Sequence, residues 1–241
     1  MMSRHRHSGI TAVWASLLVA LLCCCDTTVQ TDVAEVGAAV RSLHSGSFDE
    51  TFRIDTANST LTWVGAKVTG RHNGIIKIQE GHINLHNGMA SSGRTVFDMQ
   101  SVRSEDKRIG EAANKKLTGH LRSVEFFDVE QHPTALFEIT SVAPYDSTSR
   151  QEPVYGTNHS KEHRIKNPTH RVTGNLTIKD VTKSVSFPAR VVVEDSVLRA
   201  QANFNIDRTN WDLTYGADES LGNKTIHPAV NIGLDLVATK Q

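Results

Sequence analysis

From residue 54 to the C-terminus, hydrophobic and polar side chains alternate with period two, the signature of strands that bury one face. Val172, Gly174, Leu176 and Ile178 alternate with Thr173, Asn175, Thr177 and Lys179. After a short turn, Val185, Phe187, Ala189, Val191 and Val193 repeat the pattern. Leu198, Ala200, Ala202, Phe204 and Ile206 follow it again, with Arg199, Gln201, Asn203 and Asn205 between them, and Val230, Ile232, Leu234 and Leu236 close the chain. Further strands are expected at 60–68, 74–79, 81–87, 93–102 and 134–142, roughly eight or nine in all, joined by short turns rich in Gly, Asn and Asp. One stretch departs from this rhythm. Between Ser104 and Arg122, Ile109, Ala113, Leu117 and Leu121 recur at four-residue steps, which predicts an amphipathic helix.

Many consecutive half-buried strands favour antiparallel sheet, and a long antiparallel sheet removes its unpaired edges by closing on itself. The expected fold is therefore all-β: an extended antiparallel barrel of about eight strands, with the helical insertion covering one mouth. A sandwich is the alternative. A barrel of that size is either filled by its own side chains or holds one small ligand. Gly174, Ala189, Ala200 and Ala202, at inward positions, leave room for a ligand or accommodate barrel taper.

The N-terminus has another character. Arg4 and Arg6 precede an apolar run from Ile10 to Leu22, which ends at Cys23, Cys24 and Cys25. This is a signal-peptide pattern, too short to span a bilayer comfortably. A signal core ending in Leu-Leu-Cys-Cys-Cys resembles the lipobox of bacterial lipoproteins, with Leu21 three residues before Cys24 or Leu22 three before Cys25. Cys24 and Cys25 are thus the lipidation candidates, a plain secretory signal being the alternative.

No cysteine follows Cys25, so a mature domain without this segment has no disulfide, thiol nucleophile or thiolate metal site. The chain of 241 residues carries 26 Lys and Arg against 26 Asp and Glu, which argues against a general polyanion or nucleic-acid binder. Losing Arg4 and Arg6 with the signal leaves 24 bases and 26 acids, about −2. The division expected is a signal peptide at 1–25, a tether at 26–52 and a domain at 53–239. A short helix around Val33 to Leu43 is the alternative reading within the tether. A polar segment at 147–170, containing Pro153, Gly156, Asn158 and Pro168, reads as a long loop, disordered or placed to cover a mouth or meet a partner.

Three ordered motifs carry a family resemblance. His120-Leu-Arg-Ser-Val-Glu-Phe-Phe-Asp-Val-Glu-Gln-His-Pro-Thr-Ala-Leu-Phe137 resembles the H-L-x-S-x-x-F-F-D-V-x-x-x-P-x-x-x-F signature of the bacterial YceI-like family. Val172-Thr-Gly-Asn-Leu-Thr-Ile-Lys-Asp-Val-Thr-Lys183 is similar to its V-T-G-x-L-T-I-K-G-V-T-K strand pair, and Ile206-Asp-Arg-Thr209 to its I-x-R-T/S motif. With Ser59 to Gly74 the likeness covers about residues 53 to 238. It implies a lipocalin-like barrel of the periplasm or cell envelope that holds a polyisoprenoid, quinone-like or similar amphiphilic lipid, with no cofactor. Asp180 stands where the family usually has glycine, and Asp212 where many members have it.

The lumen-lining candidates are Trp63, Phe137, Ile139, Leu176, Ile178, Phe187, Phe204, Ile206, Ile232 and Leu234, each of which otherwise packs a closed core. At roughly 0.8 kcal/mol per methylene, burying about ten prenyl carbons yields on the order of 8 kcal/mol before ordering costs, near-micromolar affinity with no polar contact. His120 and Arg208 are the mouth candidates. His120 either orders the mouth by a hydrogen bond or meets a headgroup. Arg208 suits bidentate contact with a phosphate, with a salt bridge to Asp207 or another acid as the alternative. His159, His163 and His170 lack the helix that would make them a metal site, so no metal is expected.

The reading is therefore a non-enzymatic lipid carrier or store, exported and anchored to a membrane by its N-terminus. An interaction scaffold using the 147–170 loop and an isoprenoid-acting enzyme using His120, Asp207 and Arg208 are the alternatives. No nucleophile elbow, phosphate loop or dinucleotide fingerprint appears.

Overall fold

The structure is a computed structural model that describes residues 27–41, 48–149 and 163–241. Its alternating segments form strands β1 (Asp32–Val33), β2 (Glu35–Ala38), β3 (Glu50–Ile54), β4 (Thr60–Lys67), β5 (Gly70–His86), β6 (Met89–Ser104), β7 (Thr134–Pro144), β8 (His170–Ile178), β9 (Val181–Glu194), β10 (Val197–Asp207) and β11 (Ile226–Lys240). Helix α1 (Glu111–Arg122) lies between β6 and β7.

The strands β4 to β11 pair antiparallel in chain order, and β11 pairs back with β4, so the sheet closes into an eight-stranded, lipocalin-like barrel. The short strand β3 pairs with β11 and β5 beyond the start of β4, continuing the wall at that end. Two-residue hairpins set the register. Lys179 and Asp180 both have positive φ between Ile178 and Val181, as do Asn87 and Gly88 between β5 and β6, the backbone of a turn whose twist matches paired strands. Asp180 therefore occupies a left-handed position that a family glycine would also suit, as does Asp212 at φ 58.

The barrel has two unlike ends. At one lie the β4–β5 turn, α1 with the turns that follow it, the β8–β9 hairpin and the long β10–β11 connection. At the other lie the β5–β6 and β9–β10 turns. At the first end the wall flares in two places. The last residues of β6 do not pair with β7, whose pairing stops at Asp98 and Thr134, and α1 fills the gap. Thr118 Oγ1 accepts from Ser104 N at 3.0 Å, and Arg122 Nε donates to the Val102 carbonyl at 3.0 Å. Strands β9 and β10 pair only from Ala189 and Ala202 outward. Beyond that point β1 runs parallel to β10, with Asp32 opposite Phe204, and β2 runs antiparallel to β9, with Glu35 opposite Ser186.

Several expectations need correction. Residues 32–38 are neither tether nor helix. They are strands in the wall, held by Asn205 Nδ2 donating to the Val29 carbonyl at 2.7 Å and by a largely buried Arg164–Asp32 ion pair of 3.0 Å. Segments 74–79 and 81–87 form one strand, β5, whose register against β6 shifts between Ile78 and Glu80, so the inward face changes parity there. The helix begins at Glu111, because Gly110 is extended and residues 105–109 wrap the buried Asp106. Ile109 precedes the helix and Ala113 is exposed, leaving Leu117 and Leu121 as its apolar contacts. The signal segment, Cys24 and Cys25 included, and residues 150–162 of the polar loop lie outside the described residues.

Candidate functional site

Between the flared walls lies a cavity of about 500 Å³ that opens at the end carrying α1. Its floor is a row of aromatic rings. Phe187 stacks on Phe204 with centroids 4.1 Å apart, and Phe137 lies 5.8 Å from Phe187. Trp63, Leu176, Ile178, Ile206, Ile232 and Leu234 form the sides, so these expected positions, with Phe137, Phe187 and Phe204, come together around one space. Ile139 is placed elsewhere: it borders a void of about 60 Å³ below the floor.

The small inward residues do not supply the room. Ala189, Ala200 and Ala202 line that lower void. A Cβ on Gly174 would lie 2.5 Å from the Phe137 ring, so that glycine admits the aromatic and nothing more. Gly74 stands in the same relation to Trp63, whose ring would meet a Cβ at 2.5 Å. The space comes instead from the flared walls: a barrel widens with strand number, and the β1–β2 arm adds a strand's width between β9 and β10.

Polar groups gather at the mouth. Arg208, only 2% exposed, lines the cavity beside the Phe126 ring, whose centroid is 5.6 Å from the guanidinium carbon. Its Nη2 donates to the Ile226 carbonyl at 3.0 Å, Nε to the His227 carbonyl at 3.4 Å and Nη1 to the Leu213 carbonyl. The alternative, a salt bridge to Asp207, does not form, because the Asp207 carboxylate accepts from Thr209 N and Oγ1 at 2.9 and 2.6 Å. Burial, the larger influence, pulls the Arg208 pKa down from the usual arginine value, and the Asp207 charge pushes it back. Three carbonyls thus orient a buried cation that keeps one N–H on each terminal nitrogen for a ligand.

His120 also lines the mouth, with its ring edge-on to Tyr215 at 4.5 Å and its Nε2 3.3 Å from the Glu125 carboxylate. Its carbonyl accepts from Ser123 N and Oγ, closing the helix end. Phe126 and Phe127, from the same motif, turn inward beneath it, and Lys179 Nζ fastens the Phe126 carbonyl at 3.0 Å.

His72 was not among the sequence candidates. It lines the mouth and gives its Nδ1 to Asp106 Oδ2 at 2.9 Å, so Nε2 is the nitrogen left for a ligand. Asp106 is 1% exposed. The Arg108 guanidinium, bound to both its oxygens at 2.9 and 3.1 Å, holds its carboxyl well below the usual carboxylate range; burial opposes this and His72 adds to it. Asn114 on α1 locks this loop, donating to the Asp106 carbonyl and accepting from Asp106 N and Ser104 Oγ. The alternation of β5 carries the signal for His72, which shares a face with Gly74 and Ile76.

The polar loop does not arise at this mouth. Pro144 and His170, which bracket it, pair with each other at the ends of β7 and β8 remote from the β8–β9 hairpin. His163 is exposed, and His159 lies outside the described residues.

Residues 52–238 match the family model described as the YceI-like domain. The fold is similar to that of Burkholderia cenocepacia BcnA, at 21% identity and a TM-score of 0.56, covering 77% of this chain and 99% of that one. It is also similar to a polyisoprenoid binding domain from Saccharophagus degradans implicated in plant cell wall breakdown, at 15% identity and a TM-score of 0.53, covering 80% and 100%. No curated protein matches the chain.

Proposed function

The chain belongs to the YceI-like family, and from that premise we propose that it is a non-enzymatic carrier or store that holds a polyisoprenoid or similar amphiphilic lipid in its lumen, exported to the bacterial envelope and anchored there through Cys24 or Cys25. The observation that carries this reading is the apolar cavity of about 500 Å³ open at one end of the barrel. Pockets that enclose small organic ligands run from about 300 to 1,000 Å³. A few isoprene units fit inside, below a head held at the mouth. The polyisoprenoid binding named for the Saccharophagus degradans domain, which has the same fold, agrees with this assignment.

The polar groups are placed for binding at the lipid's head. The two remaining N–H groups of Arg208 suit a phosphate or carbonyl oxygen, and the Nε2 of His72, held by Asp106, accepts from a hydroxyl or donates when protonated. Neither needs to react. The apolar walls supply affinity, and the oriented pair selects an amphiphile over a plain hydrocarbon.

Native mass spectrometry of the protein purified from its own host's envelope, followed by organic extraction and lipid mass analysis, tests the reading. A stoichiometric isoprenoid mass is expected. A bare protein mass, with no uptake of added prenyl phosphate, would overturn it.

A further inference from the structure

Resting on the carrier reading, we propose that the cavity mouth is the face this protein sets against a lipid bilayer. The N-terminal arm starts at the cavity rim. Thr27 Oγ1 donates to the Lys67 carbonyl at 2.5 Å, and Arg71 donates to the carbonyls of Thr27 and, at 2.6 Å, Thr28. Lys67 and Arg71 flank the β4–β5 turn, and Lys67 and Thr69 line the mouth. The N-terminal arm is therefore fastened at the rim of the opening before it runs along β10 to its place between β9 and β10. Cys24 and Cys25 precede Thr27 by three and two residues. At about 3.3–3.6 Å per residue, an acyl group on either cysteine joins the chain within roughly 11 Å of that rim. A tether this short does not let the barrel turn its closed end to the membrane.

The rim also exposes apolar side chains. Val68, in the β4–β5 turn, is 47% exposed, Leu221 44% and Tyr215 43%, the latter two on the β10–β11 connection, and Val124 follows α1. They lie on three separate connections around the opening, which is how short apolar side chains enter an interface from a rigid scaffold. Lys67 and Lys224 stand at the same rim and line the cavity, where ammonium groups meet lipid phosphates. An amphiphile leaving the bilayer tail first would pass from hydrocarbon to the aromatic floor without crossing water.

The test uses the full chain, made in a host that acylates lipoproteins and reconstituted into vesicles of brominated phosphatidylglycerol and phosphatidylethanolamine. Val68→Trp and Met89→Trp place a reporter at the mouth and at the opposite β5–β6 hairpin; neither residue borders the cavity. Bromine quenching of most of the added emission at 68, with none at 89, is the expected result. Quenching at 89, equal quenching at both, or none at either would overturn the orientation. In the same preparations, uptake of a fluorescent farnesyl phosphate analogue in detergent reports on the carrier reading by itself. Uptake without quenching sinks only the docking, whereas quenching without uptake sinks only the carriage.

Discussion

Below the Phe137–Phe187–Phe204 row the barrel closes around a void of about 60 Å³, and above it the same strands enclose about 500 Å³. Apart from the polar groups at the mouth, the inward residues above the row are hydrophobic like those below it, so hydrophobicity does not separate the two halves. Circumference does. In the lower half β9 pairs directly with β10, and Phe52 and Ile54 of β3 add side chains to a core shared with Leu198, Leu236 and Ala238. Large and small residues interdigitate there, as close packing requires. In the upper half α1 and the β1–β2 arm spread the wall, and the same density of side chains no longer fills it. A ligand space can thus come from inserted backbone rather than from reduced side chains.

The contrast can be broken most severely in the lower half. Leu198 is fully buried, and Leu198→Ala is expected to lower stability by about 2–5 kcal/mol in chemical denaturation, through lost burial and the cavity left behind. Ile178→Ala removes a comparable side chain from a wall that already faces open space, so its stability cost is expected at about 1 kcal/mol or less, with weakened prenyl uptake instead. Equal costs at the two positions would show that the upper half is packed after all.

Asp106→Asn probes the loop that holds the flare open. Losing charge-assisted bonds to Arg108 and His72 is expected to cost about 1.5–3 kcal/mol. The sign with pH follows from the depressed carboxyl: its folded pKa lies below the unfolded 3.8, so its stabilisation is present above that value and is lost as pH falls below it. The difference between the denaturation midpoints of wild type and variant should therefore begin to shrink below about pH 4 and close only as pH falls through the lower, folded value. Filling the upper half gives a smaller effect that sharpens the comparison. Ile232→Trp is expected to weaken binding of a prenyl phosphate at least tenfold, about 1.4 kcal/mol by fluorescence titration, while leaving the denaturation midpoint close to wild type.

The barrel and most of its lining could be read from alternation because period two and inward burial are the same fact on a closed antiparallel sheet. Phe204 and Ile206 sit where their parity puts them. What escaped is written in other terms. Asn203, Asn205 and Asn231 look like solvent-facing partners of that pattern, yet Asn205 and Asn231 are buried, hydrogen-bonded to one another under the N-terminal arm. No hydrophobic periodicity marks a segment bound chiefly through backbone carbonyls. The His72–Asp106 contact joins residues 34 apart, and only the flare brings them to one rim. Alternation makes Gly174 either room for a guest or barrel taper, and spacing does not reveal that the Phe137 ring from the neighbouring strand claims its place.

The arm also constrains the order in which the molecule can assemble. Asn205 holds the Val29 carbonyl across 176 positions of sequence, and β1 and β2 have no partners until β9 and β10 exist. Contacts of such long range form slowly, since the loop between them must close first. The N-terminal arm thus settles among the last, and sealing the seam between β9 and β10 is a late step in folding. Until then the barrel stands unsealed along that seam, its keystone unset.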